Sequence, residues 1–249
     1  MARRLPKLYV LPASHPCAAV EAALALKSIE YRRVDLLPIT PVMVGPLRWG
    51  GTTVPGMRIN GERILGSRPI MRRLDELAPS PPLLPEGEDA RAAVLEAERW
   101  GDEEFQDIPR RIIDACFLRE PAAMLSYATE AKLPLPAGML RPAAPLTARL
   151  MAVKNKARDD AVRRDITELP KLMDRVDGWI AEGVLGGDEP NAADLQIGST
   201  IRLLMSIGDV RPLIEGRRAA ELRRYFPPLT GGTPAGALPP EWLAAPGSG

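Results

Sequence analysis

The sequence predicts two domains, an α/β domain followed by an all-α domain. Strand-like and helix-like segments alternate over residues 7–77, in the order β-α-β, loop, β-β-α. A cluster of prolines then interrupts the chain, at Pro79, Pro81, Pro82 and Pro85. Beyond it, apolar residues recur almost throughout at helical spacing. We therefore predict an α/β domain over residues 1–79, a proline-rich linker over 80–89, an all-helical domain over 90–226 and an irregular tail over 227–249.

The first half of the α/β domain carries three regular elements and a loop. Lys7 to Leu11 is a short apolar strand, because Pro12 ends the run. Apolar residues at helical spacing from Cys17 to Ile29 predict a helix. Tyr31 to Leu36 alternates like a second strand, and Pro38 to Gly51 is rich in proline and glycine and is predicted to be a loop.

The second half of this domain begins with a hairpin. Met57–Ile59 and Arg63–Leu65 flank the pair Asn60-Gly61, which favours a tight turn between two antiparallel strands. Ser67 then fits the N-cap of a helix that extends to Leu77.

The all-helical domain is predicted to hold four helical segments. They are residues 90–118 with a kink at Pro109, 146–181 with a break at Pro170, 191–207, and 217–225. Asn191 and Asp194 have the spacing of a capping box, in which Asn191 accepts from the third helical N–H and Asp194 accepts from the N-cap N–H.

Composition excludes several classes of function. The chain has 249 residues and 45% hydrophobic side chains, enough for a substantial core. Its two cysteines exclude a disulfide framework, and one histidine with two cysteines cannot form a four-ligand Cys/His zinc site. Carboxylate metal sites stay open, but no metal ligand is predicted. A net charge of +1 and 4% aromatic residues argue against a nucleic-acid partner.

The N-terminus is basic, but the apolar run from Leu8 to Leu11 is shorter than the ~7–15 residues of a signal-peptide core. Since no window approaches ~18 uncharged apolar residues, we expect no membrane partner and a cytoplasmic protein.

The turn between the first strand and the first helix is the main candidate site. Ser14, His15 and Cys17 lie there, and a helix N-terminus stabilises an anion such as a thiolate with its unpaired N–H groups. Ser14 is either a functional hydrogen-bond donor or a plain helix cap. His15 is predicted to be a site-edge or surface residue. Cys17 is either a buried structural thiol or, in the Ser-x-Pro-Cys spacing, a redox-active one.

A second candidate feature precedes the hairpin. Pro55 follows Thr53-Val54 and enters a strand, a position that suits a cis peptide bond. With that bond cis, the backbone N–H and C=O of Val54 would be exposed for antiparallel pairing with a bound peptide.

These features together resemble the glutathione S-transferase superfamily, over roughly residues 7–226. The run from Leu11 to Cys17 is similar to the serine-type active-site turn of its delta and theta classes. Val54-Pro55 matches its cis-proline element, Gly66-Ser67 its acidic-residue–serine pair, and Asn191–Leu195 its folding motif. The resemblance implies a thioredoxin-like N-terminal domain and an all-α C-terminal domain.

The resemblance also implies a thiol transferase. Ser14 would hold the cofactor thiolate, Val54 and Pro55 would bind the cofactor backbone, and Ser67 would receive its γ-glutamyl carboxylate. Two departures concern the cofactor: Gly66 replaces the acidic residue, and the residue expected to hold the glycyl end has no match among Gly50, Gly51 and Thr52. The cofactor is thus expected to be glutathione or another low-molecular-weight thiol such as mycothiol.

The expected partners are a small electrophilic substrate and, from the family, a second copy of the chain in a homodimer. Two other functions stay open at this point. One is a thiol–disulfide oxidoreductase that uses Cys17. The other is a non-catalytic binding module that has kept the fold, since the acidic partner at Gly66 is missing.

Overall fold

The structure is a computed structural model that describes residues 5–133 and 137–243. The first four residues of the predicted α/β domain, the last six of the tail, and Pro134 to Pro136 lie outside the described residues.

The α/β domain is built on a four-stranded mixed sheet with the strand order β2-β1-β3-β4. Its strands are β1 (Lys7–Val10), β2 (Arg32–Asp35), β3 (Gly56–Ile59) and β4 (Glu62–Leu65). β1 runs parallel to β2 and antiparallel to β3, and β3 pairs with β4 through the predicted Asn60-Gly61 turn. The register places Tyr9 opposite Gly56, so the end of β1 lies beside the start of β3.

Three helices belong to this domain: α1 (His15–Leu26), α2 (Thr40–Arg48) and α3 (Ser67–Leu77). The prediction of a loop over residues 38–51 is wrong, because α2 occupies most of it. Pro41 is tolerated in the first turn, where its missing N–H has no helical partner. Trp49 fixes the end of α2. Its ring is buried against that of Tyr9, with the two ring centroids 4.7 Å apart, and its Nε1 donates to the Thr53 carbonyl at 2.8 Å.

The second domain is all-helical. Its α-helices are α4 (Glu88–Trp100), α5 (Asp107–Arg119), α6 (Ala123–Ser126), α7 (Ala137–Leu140), α8 (Ala144–Lys154), α9 (Asp159–Ala181) and α10 (Ala192–Leu204). A single 3₁₀ segment, Arg218–Tyr225, replaces the predicted helix over 217–225.

The two breaks predicted at prolines in this domain differ from the structure: the one at Pro109 lies earlier in the chain, and the one at Pro170 does not occur. The chain between α4 and α5 widens into a π-helical turn, Gly101–Phe105, where Gly101 lies too close to Ile197 for a side chain. Pro109 instead occupies the first turn of α5, where its missing N–H costs little. Pro170 lies inside α9 without ending it, because the buried stripe of that helix continues from Leu169 to Met173 across the proline.

The tail over residues 227–243 is held by side chains of the helical domain. Asp209 accepts from the backbone N–H of Gly236 at 2.6 Å and of Leu238 at 2.8 Å. Trp242 is buried beneath Arg119, whose guanidinium lies 4.7 Å from the ring centroid. This segment therefore closes one side of the domain with almost no regular structure.

The two domains share one apolar core, and α1 packs directly against α10. The observed architecture confirms the predicted fold class, an α/β thioredoxin-like domain joined to an all-α domain. None of the described helices has the length and apolarity needed to cross a membrane.

Candidate active site

Ser14 lies at the N-cap position of α1, in the turn that leaves β1. The turn is closed by a hydrogen bond from the Ser14 N–H to the Leu11 carbonyl at 3.2 Å, and Ala13 adopts a positive φ of 61°. The Ser14 side chain makes no capping hydrogen bond. Its hydroxyl is therefore not needed to complete the helix and is placed at the positive end of the α1 dipole.

Val54 and Pro55 lie beside this turn, at the start of β3. The peptide bond between them is cis, as the sequence predicted. Among the described residues, neither the N–H nor the C=O of Val54 has a hydrogen-bond partner. The Pro55 carbonyl accepts from the Gly66 N–H at 2.9 Å, which fixes the start of α3 next to this segment.

Ser67 is not the N-cap of α3, contrary to the prediction. Gly66 takes that position with a positive φ of 92°, and Ser67 is the first helical residue. The buried Ser67 hydroxyl donates to Gln196 Oε1 on α10 at 2.9 Å. The backbone N–H groups of Ser67 and Arg68, which have no partner within the helix, are the donors left for an anion.

A cavity of about 190 Å³ joins Ser14 to Val54. His15 and Thr53 also line it, and the second domain contributes Arg110, Asp114, Lys154 and Asn155. Ser67 does not line this cavity. The structure thus brings Ser14 and Val54 together in one cavity and places Ser67 behind Pro55, on the α3 side.

His15 is a buried residue of this cavity, so the surface alternative is wrong and the site-edge one matches its position. It is 3% exposed, and burial lowers its pKa well below the ordinary value, with the charge of Arg110 acting in the same direction. A backbone hydrogen bond with Gln106 opposes this shift. His15 is therefore a neutral imidazole, and its Nε2 has no partner within the described part of the chain.

Cys17 points away from the cavity and into the core. It is 1% exposed, and burial raises its pKa to about 12, although a hydrogen bond with the Ser14 side chain lowers it. Disulfide exchange requires the thiolate. The position of Cys17 fits the buried structural thiol and disfavours the redox role. Cys116 is likewise buried in the core.

Asp114 is a residue of the cavity wall that sequence reasoning missed. It is completely buried on α5, and Asn155 Nδ2 donates to its Oδ2 at 2.7 Å. Its Oδ1 lacks a partner among the described residues, and burial raises its pKa to about 7. A lone acid in the apolar run Ile112 to Cys116 is the sequence signal that could have identified it.

A second, apolar cavity of about 540 Å³ borders the same turn. The two cavities share a wall formed by Leu11 to Ala13, Pro38, Phe117 and Met151. Side chains of α2, α5 and α8 complete the apolar cavity, among them Met43, Phe117 and Met151. An apolar molecule held there would lie next to Ser14, which is the geometry required for transfer between two bound reactants.

Comparison with known proteins agrees with the fold described above. Residues 8–82 match the family described as glutathione S-transferase, N-terminal domain. No curated protein sequence gives a significant match to the chain.

Several solved structures share the fold. Glutathione transferase F2 from Populus trichocarpa is 17% identical with a TM-score of 0.58, over 88% of this chain and 90% of its own. Glutathione S-transferase III, in its apo form, is 17% identical with a TM-score of 0.58, over 89% of each chain. Maleylacetoacetate isomerase from Anaeromyxobacter dehalogenans, with bound dicarboxyethyl glutathione and citrate, is 18% identical with a TM-score of 0.51, over 90% of this chain and 89% of its own.

Proposed function

We propose that the chain, whose residues 8–82 match the glutathione S-transferase N-terminal domain, is a member of that superfamily and activates a low-molecular-weight thiol for transfer to an electrophilic substrate. The observation that carries the proposal is that Ser14 and Val54 share a cavity, while the same turn borders a large apolar cavity. A thiol and an apolar electrophile can therefore be held on adjacent sides of residues 11–14.

The donor set of the first cavity fits a thiol that carries an amide backbone and an anionic end. Ser14 offers a hydroxyl at a helix N-terminus, and Val54 offers a free N–H and C=O. Outside this cavity, behind Pro55, the first N–H groups of α3 offer a place for a carboxylate. When bound, the thiol supplies the nucleophilic sulfur that attacks an electrophilic carbon or adds to an activated double bond.

The residues of this chain act by electrostatics. The Ser14 hydroxyl donates to the sulfur and favours its thiolate form, and each unit by which this lowers the thiol pKa is worth about 1.4 kcal/mol. The cationic side chains of Arg110 and Lys154 on the cavity wall act in the same direction. The apolar cavity excludes water around the electrophile, which strengthens these interactions.

The thiol we propose is glutathione, with mycothiol as the alternative because Gly66 cannot pair with an α-amino group. Titration calorimetry with both thiols distinguishes them, and failure of both to bind would leave the non-catalytic binding module as the better account. We also propose a cytoplasmic homodimer. The dimer is supported by the exposed apolar side chains of α2 and α8, which include Met43, Leu47 and Val153, and sedimentation velocity tests the dimer.

The decisive variant is Ser14→Ala. Because a hydrogen bond to a charged group contributes about 1.5–3 kcal/mol, kcat/KM at neutral pH should fall roughly 10–100-fold. The pH at which the bound thiol gains its thiolate absorbance in the ultraviolet should rise. Stopped-flow spectroscopy measures the second effect without any electrophile present.

Thr167→Ala is the matched control, since it removes an exposed hydroxyl on α9 that donates only to the Arg163 carbonyl. Cys17→Ser tests the oxidoreductase alternative and should leave transfer unchanged. If Ser14→Ala keeps both its activity and its thiolate absorbance, the role assigned to Ser14 is wrong.

A further inference from the structure

A third cavity, of about 570 Å³, borders the same turn. Leu11 to Ser14 and Tyr127 lie in its wall, and the outer face of α1, β2, α10 and residues 225–230 enclose it. Leu11 to Ala13 and Tyr127 are shared with the apolar cavity, so the two cavities are neighbouring lobes beside Ser14. They differ in chemistry, because the third cavity is lined by several charged side chains.

Most of these charges are already paired with one another. Glu21 Oε1 accepts from the Tyr31 hydroxyl at 3.0 Å and from Arg33 Nη1 at 2.9 Å. Arg33 also donates to Asp35 through Nε at 2.9 Å. Burial raises the pKa of Glu21, while the charge of Arg33 and the hydrogen bond from Tyr31 oppose the shift. Glu130 lies at the exposed rim.

Arg202, on α10, is the exception in this cavity. Its Nε donates to the Pro227 carbonyl at 2.8 Å, and within the described ranges no carboxylate oxygen lies within 4.0 Å of its guanidinium. The side chain is half-buried, and burial lowers its pKa while Glu21 and Glu130 oppose the shift. An arginine stays charged under such conditions, so the cavity holds a partly desolvated cation whose two Nη groups lack an ionic partner.

We propose that Arg202 binds an anionic group of the electrophilic substrate, whose apolar body occupies the neighbouring apolar cavity. The substrate is then an amphipathic anion such as an aryl or alkyl carboxylate. A carboxylate matches the planar guanidinium with two parallel hydrogen bonds and relieves the desolvation of its charge. That this anion is a substrate rests on the proposed function, whereas its binding by Arg202 does not depend on catalysis.

The test compares two ligands that differ in charge, 4-phenylbutyrate and 4-phenylbutan-1-ol, by titration calorimetry without any thiol. The wild-type chain should bind the acid more tightly than the alcohol. Arg202→Gln should weaken binding of the acid roughly tenfold or more, as expected for a charged hydrogen-bonded pair, and leave the alcohol within about twofold. Arg202→Lys keeps the positive charge but loses the two parallel donors of the guanidinium, so it should retain an intermediate affinity for the acid.

Arg91→Gln is the matched control, because it removes one positive charge from an exposed position on α4. Equal affinities of the wild-type chain for acid and alcohol would overturn the proposal. So would an Arg202→Gln variant that binds the acid as well as the wild type does. A parallel loss for both ligands would also count against it, since that result would assign Arg202 to holding Pro227 rather than to the anion.

Kinetics with a charged and a neutral electrophile then connects the site to the reaction. Arg202→Gln should lower kcat/KM for 4-chloro-3-nitrobenzoate and spare its methyl ester. If transfer fails with both compounds while the acid still binds through Arg202, the proposed function is wrong and the anion site stands.

Discussion

The N-termini of α10 and α1 are built in opposite ways. At α10, Asn191 Oδ1 accepts from the N–H groups of Ala193 at 2.9 Å and Asp194 at 3.0 Å, and Asp194 accepts from the Asn191 N–H at 3.0 Å. A further N–H, from Gly186, donates to Asp194 at 2.8 Å. At α1, the Ser14 side chain caps nothing.

The difference separates folding from function. The closed end of α10 is buried and satisfies its polar groups within the chain, so it fixes the position of a central helix. The open end of α1 leaves donors beside a cavity, where a ligand can use them. The N-terminus of α3 lies between these cases, because the Ser67 hydroxyl is tied to Gln196 while its backbone donors stay open.

Removing the closed cap should have the largest effect on stability. Asp194→Ala removes a fully buried side chain and leaves the half-buried N–H groups of Gly186 and Asn191 without their acceptor. The free energy of unfolding should fall by about 2–4 kcal/mol, measured by urea denaturation. Asp188→Ala, an exposed change in the preceding loop, is the control and should have little effect. A loss below about 1 kcal/mol would show that the box is not what fixes α10.

The buried carboxyl of Asp114 should make the free energy of unfolding depend on pH. Burial raises the pKa of Asp114 to about 7, well above its value of about 3.9 in an unfolded chain. Folding therefore favours the protonated acid, and this stabilisation is present at low pH and lost as the pH rises toward 7.

Asp114→Asn removes that dependence. Between pH 5 and pH 8 the wild-type free energy of unfolding should fall by about 2 kcal/mol relative to the variant. Urea titrations at several pH values measure it, with Asp159→Asn as a surface control. Parallel pH profiles for the wild type and Asp114→Asn would contradict the raised pKa.

The open cap should have the smallest effect on stability. Because Ser14 makes no capping bond and the Cys17 sulfur with which it hydrogen-bonds is a weak acceptor, Ser14→Ala should change the free energy of unfolding by less than about 0.5 kcal/mol, even though its effect on activity is large. Thermal or urea denaturation of the variant checks this. A loss of about 1–2 kcal/mol, typical of a true N-cap, would show that Ser14 caps α1 as Asn191 caps α10.

The local parts of the fold could be predicted from the sequence, because neighbouring residues determine them. The Asn60-Gly61 hairpin and the capping box at Asn191 and Asp194 depend on a few consecutive residues. Helix α2 could not be predicted, since burial of Trp49 against Tyr9 outweighs the proline and glycine content of that segment.

The candidate site divides in the same way. The sequence by itself determined the order of the four strands with α1 and α3, and the turn that carries Ser14, with Val54 and Pro55 before β3, because each belongs to one short segment with its own backbone requirements. Only the tertiary structure decided that Ser67 donates to Gln196, that Asp114 stands in the wall of the same cavity as Ser14, and that Arg202 faces a cavity without an ionic partner among the described residues. These relations join residues about one hundred positions or more apart in the chain, and the burial and pairing of a charge depend on what packs around it rather than on its neighbours in sequence.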